Sequence, residues 1–149
     1  YATLHEFGFA TQPVSETATD PLRLVDCRIT NAARCVPPEN KPLPAEVRNC
    51  SGYLASDLAE VAAGGVVLAL GRIAHEAVLR TRGLRLAAYP FGHGAAHALP
   101  DGRTLLDSYH CSRYNTNTGT LTPAMFADVL RAARARVDAL DRSEARARP

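Results

Sequence analysis

Lysine is nearly absent from this chain: Lys41 is the only one, and every other basic side chain apart from histidine is arginine. With 17 basic against 15 acidic residues the net charge is a modest +2. Arg131, Arg134, Arg136, Arg142, Arg146 and Arg148 crowd the C-terminal end, a pattern that permits a polyanionic partner without requiring one. No apolar run approaches the roughly 20 residues needed to cross a bilayer, which excludes a membrane-spanning helix. Tyr1 to His5 has neither an initiator methionine nor a signal-peptide layout, so the expected location is the cytoplasm and the beginning looks cut. None of Cys27, Cys35, Cys50 and Cys111 forms a CxxC pair, a poor match to a disulfide-stapled secreted module. Neither GxGxxG nor GxxxxGK[ST] occurs, which argues against a nucleotide-binding protein built on Leu70-Gly71. There are no internal repeats, and no low-complexity segment precedes the Ala/Arg-rich tail.

What is present is enough for one packed domain: 149 residues, 46% hydrophobic. Val25-Asp26-Cys27-Arg28-Ile29 alternates apolar and polar residues, so a strand is expected with Val25, Cys27 and Ile29 inward, making Cys27 a core residue. The proline-rich Cys35 to Pro44 stretch lacks backbone donors and has fixed φ angles, which predicts an extended, irregular loop. Pro44 suits the first turn of a helix. Val47, Cys50, Leu54, Leu58 and Val61 recur at helical spacing, placing Cys50 on the inward face of a helix that reaches about Ala62 and stops at Gly64-Gly65. Val66 to Leu70 is a short uninterrupted apolar run, the mark of a strand buried on both faces of a parallel sheet. Gly71 ends it, and a helix follows with Ile73, Ala74, Ala77, Val78 and Thr81 on one face and a Glu76–Arg80 pair on the other. Strand, glycine and helix make a βα unit of a layered α/β fold. Thr104 to Tyr109 offers another strand. Thr122-Pro123 supplies an N-cap and first-turn proline for a last helix through Phe126, Val129, Leu130, Ala133, Val137 and Leu140. His75 and His97 read as structural or exposed, and His93 carries no assigned role.

The stretch from Tyr109 to Gly119, Tyr-His-Cys-Ser-Arg-Tyr-Asn-Thr-Asn-Thr-Gly, is too polar to be only a connection. Taken with Ile29 to Pro42, the Leu70-Gly71-Arg72-Ile73-Ala74 turn and Phe91-Gly92-His93-Gly94, it resembles the iron-sulfur uracil-DNA glycosylases. The four segments stand in the family's order and span most of the chain, from Asn31 to the last helix. The form His110-x-Ser112-x-x-Asn115-Thr116-x-Thr118-Gly119 is similar to the type-5 class, with the type-4 class as the near alternative. The position after the motif histidine, often proline in the family, is Cys111 here and loses some loop rigidity. The family's Gly-rich first motif and N-terminal CxxC pair belong upstream of Tyr1.

The resemblance implies the C-terminal part of a single glycosylase domain over residues 1–149, three-layered α/β/α with a central, mainly parallel sheet. It implies a monomeric enzyme that excises uracil, and other deaminated bases, from DNA and leaves an abasic site. Spacing alone leaves Cys35 and Cys50 open as two buried free thiols; the resemblance makes them two of the four thiolates of a 4Fe-4S cluster. It makes His110 the donor that stabilises the departing base anion, and Asn31 the amide that reads the base edge. Read from residue type alone, His110 is an ordinary structural histidine and Asn31 a turn former. Ser112, Arg113, Tyr114 and Asn115 form the loop expected to enter DNA, with Arg113 or Tyr114 as wedge. Gly71 and Lys41, with Asn40, are expected at the phosphate backbone. The rival from another class is an iron-sulfur DNA-binding fragment without chemistry.

Overall fold

A computed structural model of the chain describes residues 1–17, 19–34 and 42–147. In chain order the elements are α1 (Ala2–Glu6), α2 (Pro44–Ala59), β1 (Val66–Leu70), α3 (Arg72–Thr81), β2 (Ala96–Ala98), β3 (Thr104–Ser108), α4 (Arg113–Asn117) and α5 (Pro123–Ala147). They fall into two compact units, Thr30–Cys111 and the combination of Tyr1–Ile29 with Ser112–Pro149. No helix among the described residues is long and apolar enough to cross a membrane.

The unit from Thr30 to Cys111 is α/β. Its three-stranded sheet has the order β1-β3-β2, with β1 parallel to β3 from Val66↔Thr104 to Leu70↔Ser108. β2 adds an antiparallel edge from Ala96↔Leu106 to Ala98↔Thr104, so the described sheet is small and mixed. Leu54 and Leu58 of α2, Ala77, Val78 and Leu79 of α3, Ala69 of β1 and Leu105 of β3 share one core with Leu99. Proline at N1 starts α2 as the sequence predicts, and the Glu46 carboxylate, which accepts the Leu43 N–H at 2.7 Å, adds a cap.

Three expectations need correction in detail. β1 is not buried on both faces: only Ala69 is fully buried, because β1 is an edge of the described sheet. α3 is turned so that Ile73 is 50% exposed while His75 is buried, its place inside secured by hydrogen bonds that an apolar count cannot register. Helix α2 ends at Ala59, about a turn earlier than Ala62.

The second unit is built on α5, against which α1 packs. Thr122 caps α5 through Met125 N–H to Oγ1, 3.2 Å, and Val129, Leu130 and Ala133 are buried along it. The strand expected over Val25–Ile29 does not form. Asp26 sits at φ 53, which breaks the extended alternation and leaves Val25 and Ile29 exposed. Asp26 is held there by Arg134, whose guanidinium reaches its carboxylate at 3.1 Å and lies 4.7 Å over the Phe9 ring. Arg134 also pairs with Asp138 at 2.7 Å and Arg136 donates to the Ala132 carbonyl, so part of the C-terminal arginine crowd is spent on its own unit. Cys27 is half-buried. Its thiol donates to the Phe9 carbonyl at 3.4 Å, and burial pushes its pKa up, which keeps it a protonated thiol.

Candidate active site

Parallel pairing of β1 with β3 decides where the chemistry gathers. Leu70 stands opposite Ser108, so the turn leaving β1 and the segment leaving β3 emerge at the same carboxyl end of the sheet, where α/β folds commonly bind ligands. Gly71 N–H donates to the Ser108 carbonyl at 2.8 Å. Because that N–H is taken, what Gly71 contributes is close approach: at φ 96, a Cβ built on it would lie 3.2 Å from His110 Cβ. His110 itself is exposed. Beside it, Tyr109 stacks on His93 with ring centroids 5.0 Å apart, and Tyr109 N–H donates to His93 Nδ1 at 3.2 Å. Accepting at Nδ1 leaves the His93 proton on Nε2. Arg72, the first residue of α3, lies 5.3 Å over Phe91, which in turn is 6.3 Å from Tyr109. The sheet end thus carries an aromatic and imidazole floor with an exposed histidine above a glycine.

This contact yields a prediction. Gly71→Ala should destabilise the protein by about 1–2 kcal/mol, since an L side chain at positive φ is strained. A denaturation midpoint equal to that of the parent would show that the turn relaxes freely.

Asn31 lies in the same unit and is exposed between anchored neighbours. Thr30 Oγ1 donates to Asp57 Oδ2 at 2.5 Å, Ala32 packs on the core, and the Arg34 guanidinium reaches the same Asp57 oxygen at 3.2 Å. Arg34 also lies 4.4 Å over the Tyr53 ring, and its backbone N–H donates to Cys50 Sγ at 3.4 Å. Cys50 is half-buried, as an inward position on α2 requires. Asp57 was not singled out by sequence reasoning, although it stands seven residues after Cys50 on the same helix face. Its 7% exposure identifies it as the carboxylate that fixes residues 30–34. Asp57→Asn should therefore cost about 1–3 kcal/mol of stability, since one of the hydrogen bonds it accepts becomes unmatched. Thermal unfolding of parent and variant checks it, and equal midpoints would contradict the anchoring role. Cys35 and Lys41 lie outside the described residues.

In the other unit, the segment expected as a loop is the short helix α4. Ser112 is its N-cap, with Oγ accepting the Asn115 N–H at 3.3 Å, so local capping rather than the polar composition decides the conformation. Arg113 and Tyr114 project outward, Tyr114 at 74% exposure, while Asn115 is half-buried and its carbonyl accepts the Leu121 N–H at 3.1 Å. Cys111 is exposed.

Comparison with known proteins agrees with the family that the motifs resemble. The model of the uracil DNA glycosylase superfamily matches residues 1–134. The chain is 50% identical over 130 residues to a type-5 uracil-DNA glycosylase of Thermus thermophilus, covering 87% of this chain and 59% of that protein. It is 42% identical over 136 residues to the type-5 enzyme of Mycobacterium tuberculosis (90% and 51%), and 38% identical over 135 residues to that of Pyrobaculum aerophilum (91% and 58%). The chain spans between half and three-fifths of the length of these relatives.

Proposed function

Since the chain belongs to the uracil DNA glycosylase superfamily, we propose that the protein is a type-5-like glycosylase that hydrolyses the N-glycosidic bond of uracil, and of other deaminated bases, in DNA. The observation that carries this reading is the 50% identity to a type-5 enzyme over 130 residues that include His110, Asn31 and Cys50. In the reaction the bond between C1′ and the base nitrogen breaks and its electron pair leaves with the base. Water oxygen bonds to C1′, and a water proton ends on the base. His110 donates to a base carbonyl oxygen and so stabilises the anion as it forms. Asn31 presents a donor and an acceptor to the base edge, held out by the anchored Thr30 and Ala32 on either side. In the complete domain the described mixed sheet is part of a three-layer α/β/α arrangement with a mainly parallel centre.

The cofactor is a 4Fe-4S cluster held by Cys35 and Cys50 and by two thiolates from elsewhere in the complete protein. Cys50 suits a ligand by position: its half-buried sulfur faces residues 30–34 and accepts the Arg34 backbone N–H at 3.4 Å. Cys27, with its raised pKa, does not. The cluster serves here to fix the 30–50 region. No step of the hydrolysis passes through it.

Ser112, Arg113, Tyr114 and Asn115 meet the DNA, with Lys41 and the Gly71 turn beside the phosphates. The exposed Arg113 and Tyr114 fill the gap left by the extruded nucleotide. Extrusion costs a few kcal/mol from a paired site and least from a single strand. Replacing both residues by alanine should therefore slow single-turnover excision from a U·A pair roughly tenfold more than from single-stranded DNA. Equal slowing of both substrates, relieved at low salt, would reduce the pair to phosphate contacts.

The alternative is a DNA-binding fragment without chemistry. Incubating the complete protein with uracil-containing duplex separates the two: the enzyme produces alkali-labile abasic sites, whereas a binding module retains intact DNA.

A further inference from the structure

Beneath the sheet end lies a second group of side chains that base excision does not use. His75 Nδ1 is 2.8 Å from Asp107 Oδ1, and His97 Nε2 is 3.4 Å from Asp107 Oδ2. His75 is 2% exposed and Asp107 is fully buried, and one ligand atom from each of the three residues falls within 4.8 Å of the others. Two features distinguish this group from an ordinary hydrogen-bonded cluster. His75 Nε2 lies 2.9 Å from the Tyr89 carbonyl, which can only accept, so Nε2 donates there and Nδ1 is the ring nitrogen that faces Asp107. This is the arrangement of a metal-bound histidine, whose second nitrogen donates to a backbone carbonyl. His97 Nε2, meanwhile, is buried and makes no hydrogen bond among the described residues; its approach to Asp107 lacks the required geometry. An uncompensated buried nitrogen is unfavourable, and a cation between the three groups removes the cost.

We propose that His75, His97 and Asp107 bind a divalent transition cation of the zinc class. Two imidazoles and one carboxylate are a usual zinc donor set. Ligands about 2.0 Å from a tetrahedral zinc stand roughly 3.3 Å apart. His97 Nε2 already stands 3.4 Å from Asp107 Oδ2, and His75 Nδ1, 2.8 Å from the other carboxylate oxygen, Oδ1, opens by about half an ångström. The cation ties α3, β2 and β3 together three residues before His110, and so acts as a structural staple. The Tyr89 and Phe91 rings, in edge contact with His97 and His75, wall it. The proposal does not depend on the glycosylase reading, since its readout is metal content.

The test uses the complete protein, purified anaerobically without chelator, with zinc and iron measured in the same sample. About one zinc per chain is expected, and His97→Gln should lower zinc affinity at least tenfold while iron stays unchanged. Cobalt(II) loaded into the parent should give the visible absorption of a tetrahedral site. The proposal is overturned if the parent takes up neither metal. It is also overturned if His97→Gln keeps its zinc, which would put the metal on the cysteines. A third contrary outcome is a metal-free parent whose nitrogen NMR shows protons on both His75 ring atoms, leaving a proton-linked pair only.

Discussion

Replacing His110 by alanine is expected to slow single-turnover excision of uracil by about a hundredfold to a thousandfold, because one positioned donor to a developing anion is lost. DNA affinity should barely move, since the interaction forms in the transition state and not in the bound ground state. The side chain is exposed, so its removal opens no core cavity. Unfolding transitions of parent and variant should accordingly coincide. Equal excision rates in the two proteins would remove His110 from the mechanism. A parallel fall in rate and affinity would instead make it a DNA contact.

The second large effect is at Cys50. A cluster with one thiolate missing is not held, so Cys50→Ala should reduce iron from roughly four per protein to a small residue, with loss of the brown absorption. Because Cys50 Sγ also accepts the Arg34 N–H, the segment carrying Asn31 should loosen as well, visible as faster amide exchange at residues 30–34. Iron retained in full would exclude Cys50 as a ligand.

How much of this was legible in the sequence depends on what each residue needed from the rest of the chain. β1, the Gly71 turn, α3, β3 and the Thr122-Pro123 start of α5 rest on local signals, and all stand where those signals placed them, within a residue at their ends. The Val25–Ile29 strand failed because Asp26 takes a positive φ, held by Arg134 more than a hundred residues away in sequence. Arg113–Asn117 was not legible as a helix, since a five-residue helix depends on one Ser112 cap rather than on periodicity. β2 is three residues of Ala-His-Ala, with no β-branched or aromatic side chain to announce it. The largest omission is polar. Asp57, His75 and Asp107 are buried by partners far along the chain, and a reading by hydrophobic pattern places such residues outside.

Within the candidate site, motif order nominated the residues, and the parallel register accounts for where two of them stand. Gly71 and His110 follow paired strand ends, so a sequence that codes β1 and β3 as parallel neighbours also codes their meeting. The closeness of that approach, which only a glycine at positive φ permits, is visible in the coordinates alone.

The most direct measurement is a mass balance of the reaction. The complete protein, incubated anaerobically in excess over a duplex with a single uracil, should release free uracil in amounts equal to the abasic sites formed. The strand should stay uncut until alkali is added. Free uracil without strand cleavage is the result predicted for hydrolysis of the N-glycosidic bond. DNA recovered intact from a stable complex, with no free base, would contradict it.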